Sequence, residues 1–252
     1  MSFPLLIFAV SLVLLWVSAR MGSRIREKRG DLEEGVRADL GVILAAALTL
    51  LGLIIGFSFS MGVTQYNQRR NVEVAEANAI DNEYVRAGIL PPADAAKVRD
   101  LLRGYVRQRA LFYRTRRENS LETIDANTAR LQGDIWSVIQ ASVSAGPQPL
   151  MMLAISGMND VMNSEANASA AWLTRIPGEA WALLIAIAMA CNFLLGFTLR
   201  ARHDRIRRFF ILPLIASISF FVIADLDSPL SGVIQVHPQN LTRLERSWQA
   251  RG

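Results

Sequence analysis

The residue types that most often catalyse reactions or hold metal ions are scarce in this chain. It contains one cysteine, Cys191, and two histidines, His203 and His237, which lie far apart in the sequence. A nucleophilic Cys–His pair, a zinc cluster or a phosphate-binding loop needs several such residues, or glycines, in a defined arrangement. The sequence therefore predicts that the protein is not an enzyme, and we expect no catalytic residues, no bound metal and no cofactor.

Consecutive residues in one apolar stretch have side chains suited to the passage of ions. Aromatic rings in a narrow pore gate it by dewetting, and hydroxyl groups replace part of an ion's hydration shell. The candidate residues for such a constriction are Phe57, Ser58, Phe59 and Ser60.

Small residues recur in the same stretch. Gly52, Gly56 and Ser60 are spaced by four residues, which places them on one face of a helix and lets another backbone approach closely. Two interpretations are open. This face packs against another helix of the same subunit, or it lines a pore at the axis of a homo-oligomer, as the adjacent face with Phe57, Ser58 and Phe59 could also do. We also interpret Asn192 as a helix-packing residue, because an asparagine in a membrane span usually bonds to a neighbouring helix.

Two carboxylates, Asp225 and Asp227, follow the last apolar stretch of the chain. One interpretation is a solvated turn or helix end. The other is a cation site or a ring of acids at the mouth of a pore, because carboxylates repeated around an oligomer concentrate cations.

A run of basic residues lies in the polar middle of the chain. Between Lys97 and Arg117 there are eight basic residues and one acid, Asp100. On the predicted helix, one side carries Arg99, Arg103, Arg107 and Arg114. A solvated helix face, an electropositive funnel for anions and a patch for anionic lipid headgroups all fit this pattern.

These residues belong to a chain with four apolar stretches. A helix needs about 20 mainly apolar residues to cross the hydrocarbon core of a bilayer. The stretches are Phe3 to Ala19, Leu40 to Val63, Gly178 to Leu199 and Phe209 to Ala224. We interpret all four as spans, and the first is not a signal peptide because its basic residues follow the apolar run instead of preceding it.

The polar segment between the second and third spans has a helical pattern of apolar residues, interrupted at Pro91-Pro92. The sequence thus predicts an all-α membrane protein with four transmembrane helices and a helical extramembrane insert between helices 2 and 3. Residues 1–63 hold the first two transmembrane helices and a short basic loop, and residues 64–177 form the extramembrane bundle. Residues 178–224 hold the last two transmembrane helices and a second short basic loop, and residues 225–252 form a C-terminal tail.

We attribute the net charge of +5 to the membrane topology, because basic residues cluster in the two short loops beside the spans. The positive-inside rule puts such loops in the cytoplasm. The N-terminus, the insert and the tail then lie on the outer, periplasmic side of a bacterial inner membrane. No nucleic-acid-binding motif occurs, so we expect no nucleic acid as a partner.

Several motifs, taken in order, resemble one family. The motifs are Ile55 to Ser60, Glu76 to Ile80, Leu90 to Pro92, and Asp225 to Pro229 with Gly232. They are similar to the bacterial DUF4239 family, described as bestrophin-like, over most of the chain. Bestrophins are pentameric, mainly anion-conducting channels with four spans per subunit, an aromatic-lined neck on the second span and a cytoplasmic helical region. The resemblance implies Phe57 and Phe59 as neck residues, and it implies a cytoplasmic insert where the arginines predict a periplasmic one.

The leading hypothesis is a homo-oligomeric, pentameric, bestrophin-like ion channel whose pore is lined by transmembrane helix 2. Anion selectivity is favoured over cation selectivity, and the expected partners are the lipid bilayer, further copies of the chain and inorganic ions. The alternative is a membrane-anchored sensing or interaction module that binds a partner or anionic lipid through its basic helical face. Only the first hypothesis predicts a current through the pure protein.

Overall fold

A computed structural model of the chain describes residues 3–30, 33–115, 118–144, 148–198 and 205–250. Within these ranges every regular element is helical, and no β-strand occurs. The α-helices are α1 (Phe3–Arg29), α2 (Glu34–Arg86), α3 (Pro92–Arg114), α4 (Glu118–Val143), α5 (Gln148–Leu173), α6 (Gly178–Thr198), α7 (Arg205–Asp227) and α8 (Gln239–Gln249). The predicted all-α fold is confirmed. Several residues used in the predictions lie outside the described ranges, namely Arg116, Arg117, Leu199, Arg200, Arg202 and His203.

Among the described residues, four helical segments are long and apolar enough to cross a membrane. They are Phe3–Arg29, Glu34–Ile89, Pro149–Thr198 and Phe210–Asp227, and the mean hydropathy of their most apolar windows is 2.1, 2.6, 2.1 and 2.0. Each contains one of the predicted apolar stretches or most of it. The predicted arrangement of four membrane helices with a helical insert is therefore confirmed.

The second predicted span and the first helix of the insert form one continuous helix. α2 runs for 53 residues, and it contains no proline that would remove a backbone hydrogen bond. A short 3-10 helix, Ala87–Ile89, follows it, and α3 then begins at Pro92. Proline is favoured at the first helical position, where its missing N–H has no intrahelical partner to lose. The break predicted at Pro91-Pro92 is thus the junction between α2 and α3.

The chain divides into two compact units. The first comprises residues 1–65 and 175–234, and the second comprises residues 66–174 and 235–252. The segment from 225 onward is shared between them, since its first ten residues belong to the first unit and the rest to the second. The four-segment division at residues 63, 177 and 224 refers to the position of the membrane, and it stays a prediction.

In the first unit, α1 and α6 approach each other at two glycines. A Cβ atom placed on Gly196 would overlap the carbonyl oxygen of Ala19, and one placed on Gly22 would overlap the carbonyl oxygen of Phe193. Only glycine allows two backbones to come this close. The hydroxyl of Ser18 also donates a hydrogen bond of 2.8 Å to the carbonyl of Met189. This contact is the close helix packing that small residues permit in a membrane.

The end of α6 is bound by an arginine of α1. One guanidinium nitrogen of Arg26, Nη1, donates to the carbonyl oxygens of Phe197 and Thr198, both at 3.2 Å. The last carbonyls of a helix lack intrahelical partners, and a cation near them interacts favourably with the helix dipole. Arg26 therefore caps α6, and it is buried although it belongs to a loop-proximal basic cluster.

In the second unit, α3, α4 and α5 contribute a core in which Leu102, Ile135 and Val161 are fully buried. The short helix α8 buries Trp248, whose indole ring stacks on Tyr84 of α2 with centroids 4.0 Å apart. The indole Nε1 donates to Asp81 Oδ1 at 3.1 Å, so the buried polar atom of Trp248 is satisfied.

A carboxylate of α2 binds the start of α8. The buried Glu73 accepts hydrogen bonds from the backbone N–H groups of Asn240, at 2.9 Å, and Leu241, at 3.1 Å. It also accepts one from the side-chain amide of Asn240 at 2.6 Å. The residue before the helix, Pro238, has no side-chain group for this purpose. Glu73 thus satisfies N–H groups that a helix start leaves open, and its charge suits the positive end of the helix dipole.

Candidate functional site

The predicted constriction residues do not share one face of α2. Phe57 and Phe59 are 62% and 45% exposed, Ser60 is exposed, and Ser58 is buried at 6%. Successive residues of a helix with 3.6 residues per turn point in directions about 100° apart. Ser58 therefore lies on the opposite side from the small-residue strip, inside the first unit, while Phe57 and Phe59 flank that strip on either side.

The two glycines of the small-residue strip of α2 meet no other described part of the chain. A Cβ atom added to Gly52 or Gly56 would have no atom within 4 Å. These glycines thus differ from Gly22 and Gly196, which the sequence analysis did not identify as the close-packing glycines. The prediction that Gly52 and Gly56 are helix-packing residues stays a prediction, and it requires a partner other than the described residues of this chain.

Among the four candidate spans, α2 is the one least covered by its own chain. In the most apolar window of its span, 11% of the residues are buried, against 28%, 28% and 50% in the other three. This window also has the highest mean hydropathy of the four, 2.6. The most apolar span thus has an uncovered face that holds the glycine strip and both candidate neck phenylalanines.

Asn192 is fully buried in α6, but its amide bonds to its own helix. Nδ2 donates to the carbonyl of Ala188 at 2.8 Å, and among the described residues Oδ1 has no hydrogen-bond partner. The neighbouring Cys191 is buried as well.

The two acids after the last span are buried in a folded-back segment. Asp225 accepts hydrogen bonds from the backbone N–H groups of Val233, at 2.6 Å, and Ile234, at 2.8 Å. Asp227 accepts one from the N–H of Ile176 at 2.8 Å, and the two carboxylates are 2% and 6% exposed. A Cβ atom on Gly232 would lie 2.6 Å from the Asp225 carbonyl oxygen, so the turn needs glycine there.

This arrangement gives both carboxylates a clear structural task, because bonds from backbone N–H groups to a carboxylate are among the stronger hydrogen bonds in proteins. The role of Asp225 and Asp227 at a pore mouth stays a prediction. Among the described residues there is no cluster of three or more His, Cys, Asp or Glu side chains that could hold a metal ion.

The four arginines of the predicted basic face have different surroundings. Arg99 donates through Nε to the carbonyl of Tyr84 at 3.2 Å, and Arg103 donates through Nη2 to the Tyr84 hydroxyl at 3.0 Å. Both guanidinium groups also lie over the Tyr84 ring, at 5.3 and 5.8 Å from its centroid. Arg107 is exposed, and Arg114 donates to Thr242 Oγ1 at 2.8 Å. Two of the four therefore hold α3 against α2.

A fifth arginine of α3 is buried, which the sequence analysis missed. Arg109 is fully buried, and its Nε donates to Glu76 Oε1. The Tyr113 hydroxyl donates to Glu76 Oε2 at 2.8 Å, and Arg109 Nη1 lies 3.5 Å from Glu165 Oε1. On a helical projection Arg109 falls on the apolar face with Leu102, and that projection is the signal that distinguishes it from the exposed arginines.

The protonation of this cluster follows from burial and from the partners. Burial opposes the charge of Arg109, but the attraction of Glu76, their hydrogen bond and the smaller effect of Glu165 together raise the pKa of Arg109. Burial raises the pKa of the Glu76 carboxyl, and Arg109 and the Tyr113 hydroxyl offset part of that rise. Arg109 thus stays charged at the centre of the second unit.

A second buried acid of α2 has no such partner. Glu83 is fully buried, and within the described residues neither carboxylate oxygen accepts a hydrogen bond. Burial raises the pKa of Glu83 to about 8, although Arg86 lowers it and Asp160 raises it further. Gly157 of α5 lies against this carboxylate, because an added Cβ would overlap Glu83 Oε2.

Comparison with known proteins places these features in a family. The model of the bestrophin-like domain matches residues 5–241, which is nearly the whole chain. The chain belongs to the bestrophin-like family. The resemblance inferred from its motifs is confirmed, and the protein is a bestrophin-like membrane protein with several apolar helices.

Solved structures with this fold include crystal structures of variants of a bacterial bestrophin homolog from Klebsiella pneumoniae. One has a TM-score of 0.69 at 15% identity, with 99% of this chain and 98% of that chain covered. Another has a TM-score of 0.64 at 14% identity, with 98% and 100% covered. A third structure, described as a membrane protein, has a TM-score of 0.61 at 12% identity, with 99% and 98% covered. None of the curated proteins compared with the chain matches it. At these identities the likeness establishes the bestrophin-like fold.

Proposed function

We propose that the protein is a homo-oligomeric ion channel of the bacterial inner membrane, with α2 of each subunit lining the pore. The observation that carries the proposal is the uncovered face of α2, where Gly52, Gly56 and Ser60 form a strip and no described residue of the chain lies against either glycine. Identical helices placed around an axis by cyclic symmetry would cover that face. Membership of the bestrophin-like family supports a pentamer as the form of this assembly.

Phe57 and Phe59 are the proposed constriction residues. Both are exposed in the single chain and flank the small-residue strip, so in a ring of α2 helices at least one phenylalanine of each subunit faces the pore. Ser60 lies on the strip itself, and the buried Ser58 lies on the opposite side of the helix, inside the first unit. A ring of aromatic side chains narrows the pore and makes it dewet easily.

Anion conduction is the proposed selectivity. The argument for a cation channel depended on Asp225 and Asp227, and in this chain both carboxylates accept bonds from backbone N–H groups inside the first unit. Carboxylates engaged in this way attract mobile cations less than solvated ones do, because part of their charge is already compensated.

The channel proposal is tested by reconstituting the purified protein in a planar bilayer under a potassium chloride gradient. The expected current reverses near the chloride equilibrium potential, and Phe57→Ala and Phe59→Ala each change the conductance by roughly twofold or more, because the constriction dominates the resistance of a pore. Phe210→Ala on α7 is the matched control, since Phe210 is 40% exposed in a different span.

Absence of current over a wide range of voltage, pH and calcium contradicts the channel proposal. Reversal near the potassium equilibrium potential contradicts anion selectivity alone. Equal conductance in all three variants contradicts the proposed constriction. The alternative of an interaction module has less support, because Arg99 and Arg103 of its basic face are engaged with Tyr84.

We further propose that the second unit lies on the periplasmic side, as the positive-inside rule predicts from the basic loops. Gly133 and Gly35 are exposed helical positions at which an added Cβ meets no atom within 4 Å. A membrane-impermeant maleimide applied to cells with a permeabilised outer membrane should label Gly133→Cys at once and Gly35→Cys only after lysis. The native Cys191 is buried and provides the unlabelled background. The reverse labelling pattern would place the second unit in the cytoplasm.

A further inference from the structure

The second unit contains a cavity of about 500 Å³ beside α8. Its walls come from the end of α3, the segment before α8, and one face of α8. The residues that matter for its chemistry are Tyr113, Arg114, His237, Thr242, Arg243 and Arg246. We call this space the arginine cavity.

The amphipathic pattern of α8 explains why its arginines face the cavity. Leu241, Leu244 and Trp248 are buried and hold the helix against the second unit. Thr242, Arg243 and Arg246 follow at helical spacing on the opposite side. Because three apolar anchors fix the rotation of α8, both guanidinium groups belong to one wall of the cavity.

The cavity has a strong excess of positive charge. Three guanidinium groups line it, and no described lining residue is an aspartate or glutamate. Arg243 and Arg246 are both exposed, and neither has an ion-pair partner in the described part of the chain. Like charges around one cavity repel one another, and a bound anion would relieve that repulsion.

Three of the other wall residues, Tyr113, Arg114 and Thr242, are held in place by hydrogen bonds, which limits the motion of the walls. Arg114 Nη2 donates to Thr242 Oγ1 at 2.8 Å, and the Thr242 hydroxyl donates to the carbonyl of Pro238 at 2.6 Å. The hydroxyl of the buried Tyr113 is bound to Glu76. A site whose groups are already ordered loses less entropy when a ligand binds.

The chemistry of the walls selects the class of ligand. Guanidinium groups present a planar fork of N–H donors that matches two oxygens of a phosphate. The volume falls in the usual range for small-molecule sites, roughly 300 to 1,000 Å³, and exceeds what a halide ion fills. We propose that the arginine cavity binds a phosphate-bearing anion, with Arg243 and Arg246 as its principal ligands, supplied either by a free phosphorylated solute or by a lipid headgroup.

Titration of pyrophosphate into the purified full-length protein, followed by calorimetry, tests this proposal. The protein is held in nanodiscs of phosphatidylcholine. The double variant Arg243→Ala/Arg246→Ala should weaken binding by about tenfold or more, because two charge-assisted contacts are lost. The matched control is Arg107→Ala/Arg130→Ala, which removes the same charge from exposed positions of the same unit that do not line the cavity.

Each outcome decides the proposal. Absence of binding to the wild type, or equal weakening in the two double variants, overturns it, the latter because general charge attraction would then explain the affinity. A second titration in nanodiscs that also contain phosphatidylglycerol separates the two sources. Unchanged affinity supports a free solute, and reduced affinity that depends on Arg243 and Arg246 supports a lipid headgroup that occupies the cavity. These measurements do not depend on whether α2 conducts ions.

Discussion

The two halves of α2 differ in a way that reverses the usual relation between polarity and burial. The half before residue 66 is the most apolar span of the chain, yet its own chain buries only 11% of its best window. The half after residue 66 carries acids, yet Glu73, Glu76 and Glu83 are all buried. In water this pattern would be unstable, because exposed apolar surface and buried charge both cost free energy.

This difference indicates that the two halves need different kinds of partner, one to satisfy buried acids and one to cover apolar surface. Two acids of the second half find theirs within the chain: Glu73 binds the start of α8, and Glu76 binds Arg109. The third, Glu83, is buried with no hydrogen-bond partner among the described residues. The apolar first half has one face that the described residues leave uncovered, and in the proposed channel lipid and other copies of α2 would cover that face. The predictions below test the two parts of this explanation.

The largest effect is expected at the buried ion pair. Glu76→Ala removes the hydrogen-bonded partner of a fully buried guanidinium and leaves it only Glu165, at 3.5 Å. Breaking a buried ion pair in this way costs about 3 to 5 kcal/mol of unfolding free energy. Asn78→Ala, at an exposed position of the same helix, should change that free energy by less than about 0.5 kcal/mol. Thermal or denaturant unfolding of the purified proteins measures both. Equal stability of the two variants would mean that Glu76 and Arg109 do not form the pair described.

The next effect concerns assembly. A Cβ atom added at Gly56 meets no described atom of its own chain within 4 Å, and leucine favours helix by about 1 kcal/mol relative to glycine, so the subunit should fold. If α2 packs closely against its copies, the added side chain separates them, and light scattering in detergent should show smaller particles than in the wild type.

Two further glycine variants serve as controls for that result, one expected to be harmless and one expected to prevent folding. Gly133→Leu changes an exposed helical glycine with open space around it and should leave the oligomer intact. Gly196→Leu would overlap the backbone of Ala19 and should prevent folding of the first unit, because backbone atoms cannot move aside as a side chain can. An intact oligomer in Gly56→Leu would remove the small-residue strip from the subunit interface.

A smaller, pH-dependent effect is expected at Glu83. Its pKa is raised from 4.5 to about 8 in the folded protein, so between these values the folded state holds a proton that the unfolded state has lost. Stability then falls as pH rises across this window, by at most about 1.4 kcal/mol per pH unit, and the contribution is fully present below the unfolded pKa.

The variant Glu83→Gln should remove this slope, whereas Glu122→Gln, at an exposed position of α4, should retain it. Unfolding of the second unit measured at several pH values gives the comparison. If the difference in unfolding free energy between the wild type and Glu83→Gln stayed constant across this window, Glu83 would ionise normally and would have a partner.

Much of the fold could be predicted because it depends on local patterns. The apolar stretches have the length of membrane helices, and Pro91-Pro92 ends a helix by its own geometry. The motifs between Ile55 and Gly232 were sufficient to identify the bestrophin-like family. The candidate site was harder to predict, because Arg107 and Arg109 are the same residue type on one helix. They differ only in that Arg109 lies on the face toward the core and Arg107 on the exposed face. A helical projection of α3 separates them, but it does not reveal that Glu76 and Glu165 are the acids that contact Arg109.

The sequence by itself determined that this is an all-α membrane protein with four spans and a helical insert, since hydrophobic length and helical periodicity are properties of consecutive residues. Only the tertiary structure decided that Asp225 and Asp227 bind backbone groups, and that Gly22 and Gly196 rather than Gly52 and Gly56 bring helices of one chain together. It also decided that Glu83 is buried with no hydrogen-bond partner among the described residues. The physical reason is that burial and partnership depend on residues far apart in the chain, which no local pattern specifies.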